Sequence, residues 1–449
     1  MDIRTTSPSW GDEPGAAAAD LDYVQQLVDE VLQRCLLDGV QPADVLAQDA
    51  SLRRAPSAVR AEIVRLGHHV IGRWRRLAFL LQATGANHQD SASHELLAMA
   101  LIDAGERVSP SLARAVSGPL PNRRAGEAAI AAIADPLQRF AVGYSLPDWL
   151  AERVLPMAEA ESLAASLLEP PPRTLRANLL RVASRDELVR RLRRRGIDAA
   201  PARFSETALH VRGTADVFAL EEFRAGLFEQ QDEASQLLIA AAAPPPGGRV
   251  LDLCCGSGGK TLALAAAMGN RGSILAADVH AGRVRELRRR LPRAGADNVR
   301  PLLLEEGNDD ALSARRDFAQ RADRIVIDAP CTGTGSLRRR PQARWRIAAQ
   351  DLSQLVGTQR QLLLQAAGDL RGKARLVYAT CSLLREENQD QVDWILAQRP
   401  DFEVVSLREI LGGKRADAIS DASGRLLSLR PDRQGTDGFF AAVLRLRRT

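Results

Sequence analysis

Lysine is nearly missing from this chain: Lys260, Lys373 and Lys414 are the only three among 61 basic residues. With abundant alanine, this reads as a coding bias, so a lysine kept inside a motif carries extra weight. Cysteine is scarce too. The five, at 35, 254, 255, 331 and 381, are odd in number and scattered, with no CxxC and no His/Cys cluster at zinc-ligand spacing. This excludes a disulfide framework and argues against a bound metal. No stretch offers the ~18 consecutive uncharged apolar residues of a spanning helix. The start, MDIRTTSPSWGDEPG, lacks the basic-then-apolar layout of a secretory signal. The expectation is a soluble, cytoplasmic monomer that binds neither membrane nor metal.

At 449 residues the chain has room for two to four domains. Its net charge of +5 is unevenly spread. Between Arg173 and Arg203, ten arginines stand against three acids, so this stretch carries +7 and the remainder −2. A local basic patch on a near-neutral chain points to a polyanion partner better than a diffuse high pI does.

Alternating β patterns are absent from residues 20 to 140. Val24, Leu27, Val28, Val31, Leu32 and Cys35 fall at helical spacing, as do blocks over 63–81 and 96–101. The run EPPPR at 169–173 breaks the chain, because consecutive prolines neither continue a helix nor donate to a sheet. After it come the alternating TLRANLL, a helix opened by a capping box from Ser184 to Glu187, and ALHVRG. In that helix Leu188 and Leu192 share a face, while Arg190, Arg191, Arg193, Arg194 and Arg195 spread over the others, either as a solvated face or as an RNA-contacting one. From Pro244 onward, β and α patterns alternate through GRVLDLCC, GSILAADV, NVRPLLL, DRIVIDAP and ARLVYATC, which predicts an α/β fold with an open, mainly parallel sheet. Ligands of such sheets sit at the carboxyl ends of the strands.

The first of these strands runs into CCGSGGKT, spanning Cys254, Cys255, Gly256, Ser257, Gly258, Gly259 and Lys260. A Gly-rich turn between strand and helix lets backbone N–H groups approach a ligand closely. It is not a phosphate-binding Walker loop, since its required first glycine falls at Cys254. The second strand ends at Asp278, whose carboxylate can accept both hydroxyls of a ribose. Together these features indicate an adenosine cofactor, NAD or S-adenosylmethionine. The fourth strand places Asp328, Pro330 and Cys331 at its carboxyl end, and the next long strand places Cys381 at its own. Two thiols at strand ends beside a cofactor turn favour S-adenosylmethionine, whereas Cys35, Cys254 and Cys255 read as small buried hydrophobes.

Here the sequence resembles the Sun/RsmB/NOP family of RNA cytosine-C5 methyltransferases. The resemblance rests on QDEASQL (231–237), LDLCCGSGGKT, AADV, DAPCTGTG, RRRPQARW, YATCSLLREEN and TDGFFAA, in family order over residues 231–442. Where relatives carry CAAPGGKT or CAGAGGKT, this chain has CCGSGGKT. The resemblance implies a Rossmann-like methyltransferase domain over 236–449, preceded by a helical, NusB-like, RNA-binding domain over 1–145 and a small basic α/β linker domain over 146–235. It implies Cys381 as the nucleophile that adds to cytosine C6 and Cys331 as the group that resolves the adduct. It also implies Asp328 at the base edge, Lys260 as the residue orienting the cytosine, and the turn with Asp278, Asp328 and an acid after the third strand as the S-adenosylmethionine site. GNDD at 307–310 offers Asp309 or Asp310 for that acid, and Asp309 is chosen, with a helix cap as its other reading. The RNA expected is ribosomal, ahead of transfer RNA. Two other readings are DNA cytosine methylation, in which the Pro-Cys thiol is itself the nucleophile, and a non-catalytic RNA-binding or assembly factor. The extra TCS cysteine argues against the first. Retention of both cysteines, Asp328 and a rare lysine argues against the second.

Overall fold

The computed structural model describes residues 21–82, 92–116 and 120–447; the acidic start lies outside them. The chain divides into two compact units. One comprises the residues up to Pro170 together with Leu337–Ala348, and the other comprises Pro171–Ser336 and Ala349 onward.

The described part of the first unit is helical. In the helix Leu21–Asp38 the residues at helical spacing, Val24 to Cys35, are buried as the periodicity predicts. Burial pushes the Cys35 thiol up to about 12, so it behaves as a small hydrophobe. The apolar block over 63–81 is two helices, Ser57–Gly72 and Trp74–Gln82. They separate where Leu337–Ala348 meets the chain: the Trp345 indole N–H donates to the Ile71 carbonyl (2.7 Å) and Arg344 to that of Gly72 (2.7 Å). Arg344, 1 % exposed, also donates to the carbonyls of Ser145 and Leu167. Carbonyls left over at helix ends thus find donors on a segment nearly 200 residues or more away in sequence.

The second unit begins with a small antiparallel sheet of β1 (Arg173–Ala177), β2 (Ala199–Pro201), β3 (Ala208–Val211) and β4 (Phe228–Gln230), in the order β2-β3-β1-β4. The helix Arg185–Arg194 lays Leu188, Val189 and Leu192 onto the core of this sheet. Ser184 caps the helix by accepting from the Glu187 N–H, as expected, but Glu187 reaches back to the N–H of Ala183 rather than to that of Ser184. The arginine face is not uniform. Arg191 pairs with Glu187, Arg195 with Glu221 and Glu222, and Arg193 donates to the Ala199 carbonyl, whereas Arg190 and Arg194 are exposed and make no ion pair among the described residues.

The larger sheet holds β5 (Arg249–Leu253), β6 (Ser273–Asp278), β7 (Val299–Leu303), β8 (Arg324–Asp328), β9 (Arg375–Thr380), β10 (Phe402–Val404), β11 (Leu427–Leu429) and β12 (Phe439–Leu446). Its order is β10-β12-β9-β8-β5-β6-β7, with β11 paired to β12. β9, β8, β5, β6 and β7 run parallel, as predicted, and β12 enters antiparallel beside β9. The chain leaves β5 toward β6 and β7, then returns to β8 on the other side of β5. That reversal opens a crevice at the carboxyl ends of β5 and β8, where open α/β sheets bind ligands.

Candidate active site

The turn after β5 is held by its backbone. Cys255 N–H donates to the Ala277 carbonyl (2.9 Å), and Gly256 N–H donates to Oδ2 of Asp278 (2.8 Å). Cys254 sits at φ +67°, a left-handed conformation that costs a non-glycine residue about 1 kcal/mol. Gly256, at φ +57°, has no heavy atom within 4 Å of where a Cβ would stand, so its surface is open. Asp278 is nearly buried, and its Oδ1 accepts the His280 N–H (2.8 Å). The carboxylate that the sequence offers to a ribose therefore already serves two amides, although each oxygen keeps a further lone pair.

Beneath the turn, Asp252 is fully buried. Thr261 Oγ1 donates to its Oδ2 (2.6 Å), and its Oδ1 has no protein partner. Burial raises its pKa to about 7. An open glycine, free acceptor lone pairs on Asp278 and an unpartnered buried carboxylate oxygen suit a ligand carrying ribose hydroxyls and positive charge, so the residues present fit an S-adenosylmethionine-type group.

Lys260, on the helix Gly259–Ala267, reaches across to Asp328 at the end of β8, with Nζ 2.5 Å from Oδ2. Burial alone would lower the ammonium's pKa; the carboxylate more than offsets this, and the net shift is upward. The Phe439 ring also lies under Nζ, 5.4 Å from centroid to nitrogen.

Past Asp328 and past β9 the two predicted thiols meet: Cys331 Sγ and Cys381 Sγ are 3.4 Å apart. Cys331 donates its S–H to Cys381, which lowers the Cys381 pKa, and Lys260 acts in the same direction; burial and Asp328 oppose it. Cys331 moves the other way, held well above the usual thiol range by its bond to Cys381, by burial, and by the charges of Cys381, Glu387 and Asp328. The pairing thus favours ionisation of Cys381 over that of Cys331. The other two strand-end cysteines differ. Burial pushes Cys254 up to about 12 against a smaller opposing pull from Arg283, and it pushes Cys255 higher still.

Side chains fix the loops that carry the thiols. Thr334 Oγ1 accepts the Leu383 N–H (2.9 Å) and lies 3.1 Å from Ser382 Oγ; Asn388 Nδ2 donates to the Ser382 carbonyl (2.9 Å). Gly335 N–H donates to the Cys381 carbonyl, and its carbonyl accepts from Gly438; a Cβ on Gly335 would come 2.2 Å from the Gly438 oxygen. These polar residues lie inside the recognised motifs, but without assigned roles, because nothing local in the sequence says which loop each one faces.

Asp309 stands apart from this cluster. It is exposed at the start of the helix Asp309–Ala319, whose cap is Asn308, with Oδ1 accepting the Ala311 N–H. With Glu305, Glu306 and Asp310 it lines an open depression of about 490 Å³ after β7.

A mainly parallel sheet with its antiparallel strand beside β9, and a cofactor-type turn at its reversal, is a Rossmann-like methyltransferase fold. Residues 239–445 match the family described as 16S rRNA methyltransferase RsmB/F, and residues 146–218 match the ferredoxin-like domain of RsmF/B-like methyltransferases. The chain is 33 % identical over 362 residues to the probable ribosomal RNA small subunit methyltransferase B of Bacillus subtilis, covering 79 % of this chain and 78 % of that protein. It is 31 % identical over 300 residues to ribosomal RNA small subunit methyltransferase B of Photorhabdus laumondii, covering 66 % of each. A solved methyltransferase homolog from Pyrococcus horikoshii superposes at TM-score 0.58 with 28 % identity, over 70 % of this chain and all of that one. The solved structure of PH0851 shares the fold at TM-score 0.75 and 22 % identity, over 94 % of this chain and 98 % of that one. This chain belongs to the RsmB/F methyltransferase family.

Proposed function

We propose that the protein transfers a methyl group from S-adenosylmethionine to C5 of a cytosine in small-subunit ribosomal RNA through a covalent Cys381–C6 adduct. The observation that carries this reading is the thiol pair: Cys381 and Cys331, 3.4 Å apart beside the Lys260–Asp328 ion pair, with Cys381 the more readily ionised of the two. Cytosine C5 is a poor nucleophile, and C6 is where a thiolate can add. Attack by Cys381 pushes the C5=C6 electrons onto the ring and makes C5 an enamine carbon. Asp328 meets the base edge and Lys260 orients the ring. S-adenosylmethionine, when bound, supplies an electrophilic methyl group on a sulfonium. The turn Cys254 to Lys260, Asp278 and Asp328 would hold it, with Asp309 toward the adenine. Once Cys381 is bound to the ring, Cys331 gives its own proton to solvent; after C5 is methylated the Cys331 thiolate takes the C5 proton, the double bond re-forms and Cys381 leaves as thiolate.

We assign RNA binding to residues 1–145 and to the basic stretch within 146–235, where Arg190 and Arg194 are exposed and make no ion pair among the described residues. RNA recognition of this kind presents an unstacked base to the site. Bisulfite sequencing of total RNA from cells with and without the gene tests the substrate. Loss of one 5-methylcytosine in small-subunit ribosomal RNA is expected, and loss confined to transfer RNA would replace the ribosomal assignment.

A further inference from the structure

Glu387 is fully buried and makes no ion pair among the described residues. Its Oε1 accepts the Thr332 N–H (2.8 Å) and Gln359 Nε2 (3.0 Å), and its Oε2 accepts Thr332 Oγ1–H (2.5 Å). Gln359, itself fully buried, also donates to the Pro330 carbonyl (2.9 Å), and the Tyr378 hydroxyl donates to the Glu387 carbonyl (2.7 Å). The residues on both sides of Cys331 are thereby held, Thr332 directly and Pro330 through Gln359. A buried carboxylate without a cation is costly to keep. A neutral glutamine or an apolar side chain could fill the space at lower cost, so the charge has work to do on a neighbour.

We propose that Glu387 is a positioning residue for Cys331: its carboxylate fixes the Cys331 loop against the Cys381 loop and keeps a negative charge beside the thiol pair. The proposal rests on reading Cys331 as the group that takes the C5 proton. The groups facing Cys331 are the Cys381 thiolate, Glu387, Asp328 and the Tyr378 hydroxyl, with Lys260 beyond Cys381. Glu387 and Asp328 are the two anions that remain once Cys381 is removed.

The test uses the full-length protein in a Cys381→Ala background. Alkylation of Cys331 by iodoacetamide is followed across pH by mass spectrometry. Glu387→Gln is expected to lower the alkylation midpoint by about one pH unit, the usual scale for losing a close like charge. Glu387→Asp, which keeps the charge on a shorter arm, should leave the midpoint in place. An unmoved midpoint in the Gln variant overturns the proposal. Should that variant fail to fold, Thr332→Val in the otherwise unaltered chain carries the test. It keeps the charge and removes one tether, so breakdown of the RNA adduct should slow about tenfold with KM unchanged, as misplacement of a reacting group predicts. Unaltered breakdown overturns the proposal. The alkylation readout needs no RNA, so it is separable from the functional reading, which fails if Cys381→Ala still methylates RNA.

Discussion

The turn after β5 and the loops after β8 and β9 lie at the same end of one sheet but are held by different means. The turn contributes only its main-chain amides and its glycines: Cys255 N–H to the Ala277 carbonyl, Gly256 N–H to the Asp278 carboxylate, and an open face at Gly256. The thiol loops are shaped by side chains, through Thr332, Thr334, Ser382, Glu387 and Asn388. The turn's amides donate whichever side chains the turn itself carries, whereas the bonds of the thiol loops depend on their own side chains. This accounts for the turn's departures from the relatives' sequence, at Cys255 and Ser257, being compatible with the cradle geometry.

The largest effects should come from the thiol loops. Cys381→Ala should abolish turnover and prevent capture on RNA containing 5-fluorocytosine, whose fluorine blocks elimination. Cys331→Ala should accumulate an RNA–protein adduct that survives denaturation. The opposite pattern on denaturing gels would exchange the two roles.

Next in size is the buried acid beneath the turn. Asp252 has a folded pKa of about 7, above its value of ~3.9 when unfolded, so folding favours its protonated form. Stability of the cofactor-free protein should therefore fall as pH rises from about 4 to 7. Asp252→Asn should flatten that fall and gain on the order of 2–4 kcal/mol relative to the parent at pH 8. Urea unfolding at pH 5 and pH 8 checks this, and equal slopes for both proteins would remove Asp252 as the cause.

Asp278→Ala withdraws the acceptor of the Gly256 and His280 amides together with the ribose partner. Calorimetry should show S-adenosylmethionine binding weakened by ~1.5–3 kcal/mol. In contrast, Ser257→Ala in the same turn should change cofactor affinity by less than ~0.5 kcal/mol. A large loss there would break the distinction between main-chain and side-chain support.

The smallest effect lies away from both. Because Arg191 is engaged by Glu187, the informative pair on the basic helix is Arg190 and Arg194. Replacing both with Gln should lower the slope of log RNA affinity against log salt by roughly 1.4 to 1.8, while cofactor affinity stays constant. An unaltered slope would make them solubility residues.

Much of this architecture was legible in the sequence. β5 to β9 announce themselves as apolar runs ending in chemistry-bearing residues, and the Leu21–Asp38 helix follows its periodicity residue by residue. What the sequence withheld is whatever depends on a distant partner. β12 carries no alternation because both its faces are buried, so periodicity alone could not place it antiparallel between β9 and β10. RRRPQARW was visible as a motif, yet not as the segment whose Arg344 and Trp345 serve carbonyls of the helical unit. At the site, Asp328, Cys331 and Cys381 were found from their strand-end positions and Lys260 as a rare lysine kept inside a motif, and the four converge. Glu387 was passed over, because a carboxylate 55 positions from Thr332 looks like any other surface acid until the two loops are seen together.

The opposed tendencies of the two paired sulfurs make the proposed reaction self-timing. While Cys381 is a free thiolate, the foremost influence keeping Cys331 protonated is Cys381 itself, so no base is available to act early. Adding Cys381 to the ring converts that thiolate into a neutral thioether. It thereby removes both the acceptor of the Cys331 S–H and the charge that opposed its ionisation. Cys331 can then give its proton to solvent and, as a thiolate, become competent to take one from C5, after the covalent bond exists. The nucleophile's own bond formation arms the group that later releases it, an interlock between two atoms that needs no moving part.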